Sequence, residues 1–348
     1  MRDIIVLPDI TIKQALKKLN QFGEKCLVVA DKNKLLLGTL SDGDLRKAIL
    51  KGAVIGNFIT GIYQSKPTVL IESEYTQEKA EKLFVQNKFD LIPLVDGEGK
   101  VVDILIWDKI FDKNEKKLLE KDVPVVIMAG GKGTRLEPFT KVLPKPLVPI
   151  HEKPVIEHII ECFTSVGVHQ FIITINYKAR IMKAFFEELN PDYAVDFVEE
   201  EVPLGTAGSL NLFKDKFTKS FFVTNCDVII KADYLDLYNF HQENHYDITL
   251  VASMKNYIIP YGTCELNRDG HLKKINEKPE YDFLINTGLY ILNPEVLAFI
   301  PKNTIYHVTD LIEDATNNGK RIGVYPIDGD AWIDVGQWAE YQKAVERL

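Results

Sequence analysis

The sequence predicts an α/β protein in two parts: a duplicated β-α-β-β-α unit, then a mixed, mostly parallel sheet covered by helices on both faces. Three observations carry this. Ala15 and Ala80, Val29 and Leu94, and Asp31 and Asp96 stand at matching places of a repeat within residues 1–112. From Val123 onward, apolar strand-like runs alternate with helical runs, the pattern of a mostly parallel sheet. Between them Asp112 to Asp122, DKNEKKLLEKD, is charged and nearly free of apolar residues. It reads as a solvated linker over 113–122, dividing a domain at 1–112 from one at 123–348.

In the first part, Thr11 to Leu19 sets Ile12, Ala15, Leu16 and Leu19 at helical spacing. Cys26 to Ala30 and Leu35 to Leu40 read as strands around the turn Asp31-Lys32-Asn33-Lys34, and Asp42 to Leu50 as a helix. The order returns as a helix at Tyr75 to Phe84, a strand at Leu91 to Val95, the turn Asp96-Gly97-Glu98-Gly99 and a strand at Val101 to Ile106. One such unit cannot bury its own faces, so two are expected to make one small domain. The arrangement resembles a tandem CBS pair, and Gly38 to Arg46, GTLSDGDLR, matches the strand-to-helix end of such a unit. The resemblance implies that Ser41 and Asp44 can hold the ribose of an adenine nucleotide. Ile106 and Lys109 stand at the matching places of the second copy, so at most one such site is expected. A purely structural or dimerising pair is the equal alternative, and a homo-oligomer is the expected assembly.

In the second part, strands are expected at 124–129, 171–175, 195–199, 221–225, 248–253 and 284–292. Helices are expected at 154–166, 178–189, 233–244, 294–299 and 308–317. Ligands of such sheets bind at the carboxyl ends of the strands.

A net charge of -8 argues against a nucleic-acid or anionic-membrane partner for the surface as a whole, while leaving room for a local basic pocket. Cys26, Cys162, Cys226 and Cys264 form no CxxC pair, and the histidines form no HExxH motif, so no zinc site or disulfide framework is signalled. No apolar run approaches about 20 residues and the N-terminus lacks a signal-peptide pattern, so a cytoplasmic protein is expected.

The organising stretch is Val125 to Ile150, VVIMAGGKGTRLEPFTKVLPKPLVPI. A buried strand opens into Gly130, Gly131, Lys132, Gly133, Thr134 and Arg135, a turn whose backbone N–H groups suit phosphate. Arg135 and Lys145 supply cations. The spacing fits neither GxxxxGK[ST] nor GxGxxG. Four weaker groups follow. Glu199 to Gly208, EEEVPLGTAG, sets small residues at Gly205, Thr206, Ala207 and Gly208, where a flat base could lie against backbone; an acidic surface run before a helix is the plainer reading. Phe221 to Asp227 ends a buried strand in a carboxylate placed for a divalent cation or for a helix cap. Glu277, Lys278, Asn286 and Thr287 offer carboxylate, amine, amide and hydroxyl groups of the kinds that bind sugars and phosphate. Asp334, in Trp332 to Gly336, could add a second carboxylate to the cation.

Taken in this order, residues 123 to 348 resemble the sugar-1-phosphate nucleotidyltransferase family. The signature GGxGTRLxPxTxxxPKPLxP is present from Gly130 to Pro149; Asn225-Cys226 before Asp227 and Gln337-Trp338 after Gly336 depart from many relatives. The resemblance implies a Rossmann-like domain that couples a nucleoside triphosphate to a sugar-1-phosphate with release of pyrophosphate. It gives Asp227 and Asp334 the role of Mg²⁺ ligands, Arg135 the β- and γ-phosphates, Lys145 the reacting phosphate and Lys278 the sugar phosphate. Gly130, Gly131, Gly133, Thr134, Gly205 and Thr206 would seat the nucleotide, and Glu277, Asn286 and Thr287 the sugar hydroxyls. The chain as read ends soon after Asp334, so an appended hexapeptide β-helix is not expected. Domain order resembles the guanylyltransferases of bacterial nonulosonic-acid routes, the legionaminic-acid one in particular, implying GTP and glucosamine-1-phosphate. Mannose- or heptose-1-phosphate with GTP is the nearest alternative, and UTP, dTTP and CTP stay open. A nucleotide sensor with a degenerate transferase site is the alternative of another class.

Overall fold

The computed structural model describes residues 4–22, 25–87, 89–106, 110, 118–119 and 123–348. The chain divides into two compact units, Met1–Lys116 and Lys117–Leu348.

The first unit holds β1 (Ile5–Val6), α1 (Ile12–Phe22), β2 (Cys26–Ala30), β3 (Leu36–Ser41) and α2 (Asp42–Leu50), then β4 (Leu70–Ile71), α3 (Gln77–Asn87), β5 (Leu91–Val95) and β6 (Val101–Ile106). Two three-stranded sheets result, β1-β2-β3 and β4-β5-β6, each with a parallel and an antiparallel pair. The repeat seen in the sequence extends to individual hydrogen bonds. Asp31 Oδ1 accepts from the Asn33 and Leu35 N–H groups, and Asp96 Oδ1 from those of Glu98 and Lys100. The two turns also pair with each other: Leu36 N–H donates to Gly99 O and Val101 N–H to Lys34 O. Both antiparallel pairs shift register at the same place of the repeat, between Val29 and Ala30 and between Leu94 and Val95.

Most of the charged run at 113–122 lies outside the described residues, as does Lys109. Leu118 and Leu119 correct the linker reading locally. Leu119 is buried in the core of the second unit and its N–H donates to Val166 O.

The second unit is built on a seven-stranded sheet. Its elements are β7 (Val125–Met128), α4 (Val155–Thr164), β8 (Gln170–Ile175), α5 (Ala179–Leu189), β9 (Ala194–Glu199), β10 (Phe221–Asn225), β11 (Val228–Ile230), α6 (Tyr234–Glu243), β12 (Ile248–Ile258), β13 (Thr263–Leu266), β14 (Leu272–Asn276), β15 (Glu280–Leu292), α7 (Val308–Asn317), β16 (Ile322–Ile327), β17 (Trp332–Asp334) and α8 (Trp338–Arg347). The sheet order is β9-β8-β7-β10-β15-β12-β16; β15 runs against the other six strands. β7 is buried along its whole length, as a strand covered on both faces must be, hence its unbroken apolar sequence.

Because β15 is antiparallel, Leu289 lies opposite Thr224 near the carboxyl end of β10, and the first half of β15 continues past that edge. It pairs there with the second half of β12, and the small hairpin β13–β14 lies between these strands in the chain. This arm therefore projects from the edge where the parallel strands end. The 294–299 segment is a 3-10 turn, not the expected α-helix.

Candidate active site

Three parallel strands, β8, β7 and β10, end side by side, and the residues just past them line one cleft of about 340 Å³. From β7 come Gly130, Gly131, Gly133, Thr134 and Arg135, with Lys145 further along the same segment. From the end of β10 come Asn225, Cys226 and Asp227, and from the loop after β9 come Glu200, Pro203, Leu204, Gly205 and Thr206. Every nucleotide-seating residue expected from the sequence lines this cleft. Arg135 is exposed and has no ion-pair partner among the described residues, so its guanidinium is available to an anion.

Lys145 pairs with Asp227, and both side chains are largely buried, 12% and 14% exposed. Asp334 reaches the same point by a separate route. β11 begins directly after Asp227 and pairs antiparallel with β17, setting Val228 opposite Asp334, while Val335 N–H donates to Asp227 O. A Cβ on Gly336 would lie 2.5 Å from Asp227 Oδ2 and 3.0 Å from Asp334 Oδ1, so the two carboxylates converge on the glycine. Burial, and then the Asp227 charge, push the Asp334 carboxyl above its ordinary value, against the Gly336 N–H that stabilises its ionised form. Two convergent carboxylates that repel each other fit a divalent cation completed by substrate oxygens, as Mg²⁺ usually is. Cys226, between these groups, is buried, and its thiol is pushed up to about 12 by that burial, so it packs as a small hydrophobe and not as a nucleophile.

Gly288 explains why Asn225 can sit at this edge. β15 carries extra residues opposite Val251, a bulge between Asn286 and Tyr290, and Gly288 has φ of 87°. Any Cβ there would fall 2.4 Å from Asn225 Nδ2.

The same bulge corrects one sugar-binding expectation. Thr287 is buried and its hydroxyl donates to Val251 O at 2.8 Å, so it fastens the bulge and presents nothing to a ligand. Asn286 is exposed, but its amide bridges the bulge as well, donating to Tyr290 Oη and accepting from Gly288 N–H. Glu277 and Lys278 are exposed beyond β14 on the arm and do not line the cleft. A second cleft of about 350 Å³ flanks Asp334, lined by Lys255, Asn256, Tyr257 and Trp332 among others. The Trp332 Nε1–H is buried without a partner among the described residues.

Two further expectations change. Thr206 lines the cleft, yet its hydroxyl accepts from Val308 N–H at 3.1 Å, which caps α7. In the first unit, Ser41 and Asp44 form a capping box on α2: Ser41 Oγ accepts from Asp44 N–H, and Asp44 Oδ2 accepts from the Ser41 N–H and hydroxyl. A ribose would have to displace these bonds.

Glu200 is the cleft residue that the sequence reading passed over as part of an acidic surface run. It is 5% exposed, accepts from Leu204 N–H, and also bonds to the hydroxyls of Thr174 and Ser209. Burial raises its pKa, and a Cβ on Gly130 would lie 2.9 Å from its carboxylate. The signal that could have found it is its place, one residue past the end of β9.

With this geometry established, comparison with known proteins defines the class. Residues 124–348 match the nucleotidyl transferase family, and residues 1–51 the CBS domain. The chain belongs to the nucleotidyl transferase family. It is similar to the mannose-1-phosphate guanyltransferase of Schizosaccharomyces pombe, 37% identical over 227 residues, 62% of this chain and 61% of that protein. The enzyme of the same name from Saccharomyces cerevisiae is 34% identical over 226 residues, 61% of each chain. The chain thus spans about three-fifths of the length of these curated relatives. Among solved structures it is similar to HddC from Yersinia pseudotuberculosis, with a TM-score of 0.52 and 27% identity over 65% of this chain and 99% of that one; HddC has also been solved complexed with GMP-PN.

Proposed function

We propose that this protein transfers a nucleoside monophosphate from GTP to a sugar-1-phosphate, with mannose-1-phosphate as the favoured acceptor. The observation that carries the reading is the convergence of Lys145, Asp227 and Asp334 at the mouth of a glycine-lined cleft. The names of the similar proteins favour mannose-1-phosphate over the glucosamine-1-phosphate suggested by domain order.

The base preference has support within the cleft. Guanine presents N1–H and N2–H₂ side by side, two donors in a row, and an ionised carboxylate is an acceptor only. Glu200 lines the cleft and is such a group when ionised, with one carboxylate oxygen already accepting from Leu204 N–H. Adenine sets an acceptor next to its amino group, which a carboxylate would repel.

The reaction is a single in-line displacement. An oxygen of the sugar phosphate bonds to the α-phosphorus as the bond from that phosphorus to the bridging β-oxygen breaks, and pyrophosphate leaves. No protein nucleophile takes part, which the inert Cys226 suits. Both reactants are anions, so catalysis rests on positioning and charge. Arg135 grips the β- and γ-phosphates, and the N–H groups of the glycine turn orient them. Lys145 exchanges its Asp227 partner for oxygens of the reacting phosphate. Asp227 and Asp334 would hold Mg²⁺, which supplies charge neutralisation at those oxygens. The acceptor enters from the side of the arm, where Glu277, Lys278 and Asn286 lie.

Asp227→Asn removes one carboxylate charge at nearly constant shape. Pyrophosphate release should fall at least about 10²-fold, the order seen when a preorganised charge at a reacting phosphate or oxyanion is lost, with the melting temperature little changed. Release at the parental rate would remove Asp227 from the mechanism.

A further inference from the structure

The wall of the cleft formed by residues 203–206 is not regular structure, and what shapes it lies behind it. Ala207 and Gly208 N–H both donate to Tyr306 O, at 3.0 and 3.1 Å, and Tyr306 N–H returns a bond to Leu204 O at 2.9 Å. Gly205 has φ of 80°, and a Cβ on it would meet Tyr306 O at 2.7 Å and the His307 ring at 3.2 Å. A Cβ on Gly208 would meet Thr304 O at 2.7 Å. The segment behind the wall requires these glycines. Thr206 and His307 complete the attachment. The Thr206 hydroxyl accepts from Val308 N–H and lies 3.5 Å from His307 Nδ1, while His307 N–H donates to Asp310 at the start of α7. α7 in turn buries Val308, Leu311 and Ala315 in the core that also holds Ala207 and Leu210.

We propose that His307 and Thr206 are positioning residues for the nucleotide: together they latch the base-side wall to the N-terminus of α7, with the His307 imidazole as a backstop for the Gly205 turn. Neither group needs to touch the ligand. The latch fixes where the Gly205 and Leu204 backbone stands, and so the gap between that wall and the glycine turn after β7. This rests on the reading of the cleft as a nucleoside triphosphate site.

The test is GTP affinity by calorimetry with Mg²⁺, alongside the KM values for GTP and mannose-1-phosphate, in the full-length protein. His307→Ala and Thr206→Val should each weaken GTP binding about tenfold, since sub-ångström misplacement of a binding wall costs affinity on that order. The KM for mannose-1-phosphate should stay near its parental value, the melting temperature should fall by no more than the loss of one helix cap implies, and Thr206→Ser, which keeps the hydroxyl, should restore GTP binding. GTP affinity within twofold of the parent in both variants would overturn the latch while leaving the site assignment intact. An equal rise in both KM values would also overturn it, as general loosening. A parent protein that binds no nucleoside triphosphate would sink the site reading and the latch together.

Discussion

At the scale of single residues, His241 shows how burial sets a charge state. Its ring is 1% exposed, with Nδ1 2.9 Å from Thr249 Oγ1 and Nε2 3.1 Å from Asn293 Oδ1. Burial lowers its pKa, and the Asn293 bond offsets part of that. Above about pH 6.5 the imidazole is neutral in both folded and unfolded chains. As pH falls through that value the unfolded chain takes up a proton first, and the folded chain follows only at its lower pKa. The contribution of His241 is therefore complete above about 6.5 and lost on acidification. The difference in melting temperature between the parent and His241→Asn should shrink between about pH 7.5 and 5.5; a constant difference would show that the ring is not held neutral. Glu200 illustrates the limit of reading residues alone. Its acidic neighbours Glu199 and Glu201 are exposed, and only the register of β9 turns the middle one inward.

Among elements, those with one strong pattern were legible. β7 is a continuous apolar run and β10 opens on Phe221-Phe222-Val223 because both faces are covered, and the two turns at Asp31 and Asp96 repeat because they make the same bonds. β13 and β14 escaped notice because both lie on the exposed arm, where no buried face imposes alternation. β17 is too short to signal itself. The meeting of Asp227 with Asp334 depends on its pairing with β11, which no local pattern announces. The capping box on α2 was likewise hidden, since Ser-x-x-Asp reads equally as a ligand pair or as a helix start. The structure favours the start. Ser41→Ala should lower the stability of the first unit by about 1 kcal/mol in denaturant titrations, the usual worth of an N-cap. Unchanged stability together with lost AMP binding would return the pair to the ligand role.

For the whole molecule, the fold class and the residues that meet in the cleft were visible in the glycine turn, the Pro-Lys-Pro segment and the order of the motifs. Of the expected sugar contacts, Thr287 is instead buried in a bulge whose existence only the β12–β15 register reveals, and Asn286, though exposed, bridges the same bulge. Among the described residues no helix is long and apolar enough to cross a membrane. In the proposed function, one edge of the sheet joins a guanine nucleotide to a sugar-1-phosphate. Its most direct test is pyrophosphate release by the full-length protein with each of GTP, ATP, UTP, dTTP and CTP against mannose-1-phosphate and glucosamine-1-phosphate in Mg²⁺. Release should be fastest with GTP and mannose-1-phosphate; absence of release with every pair, or a pyrimidine nucleotide favoured over GTP, would contradict the proposed function.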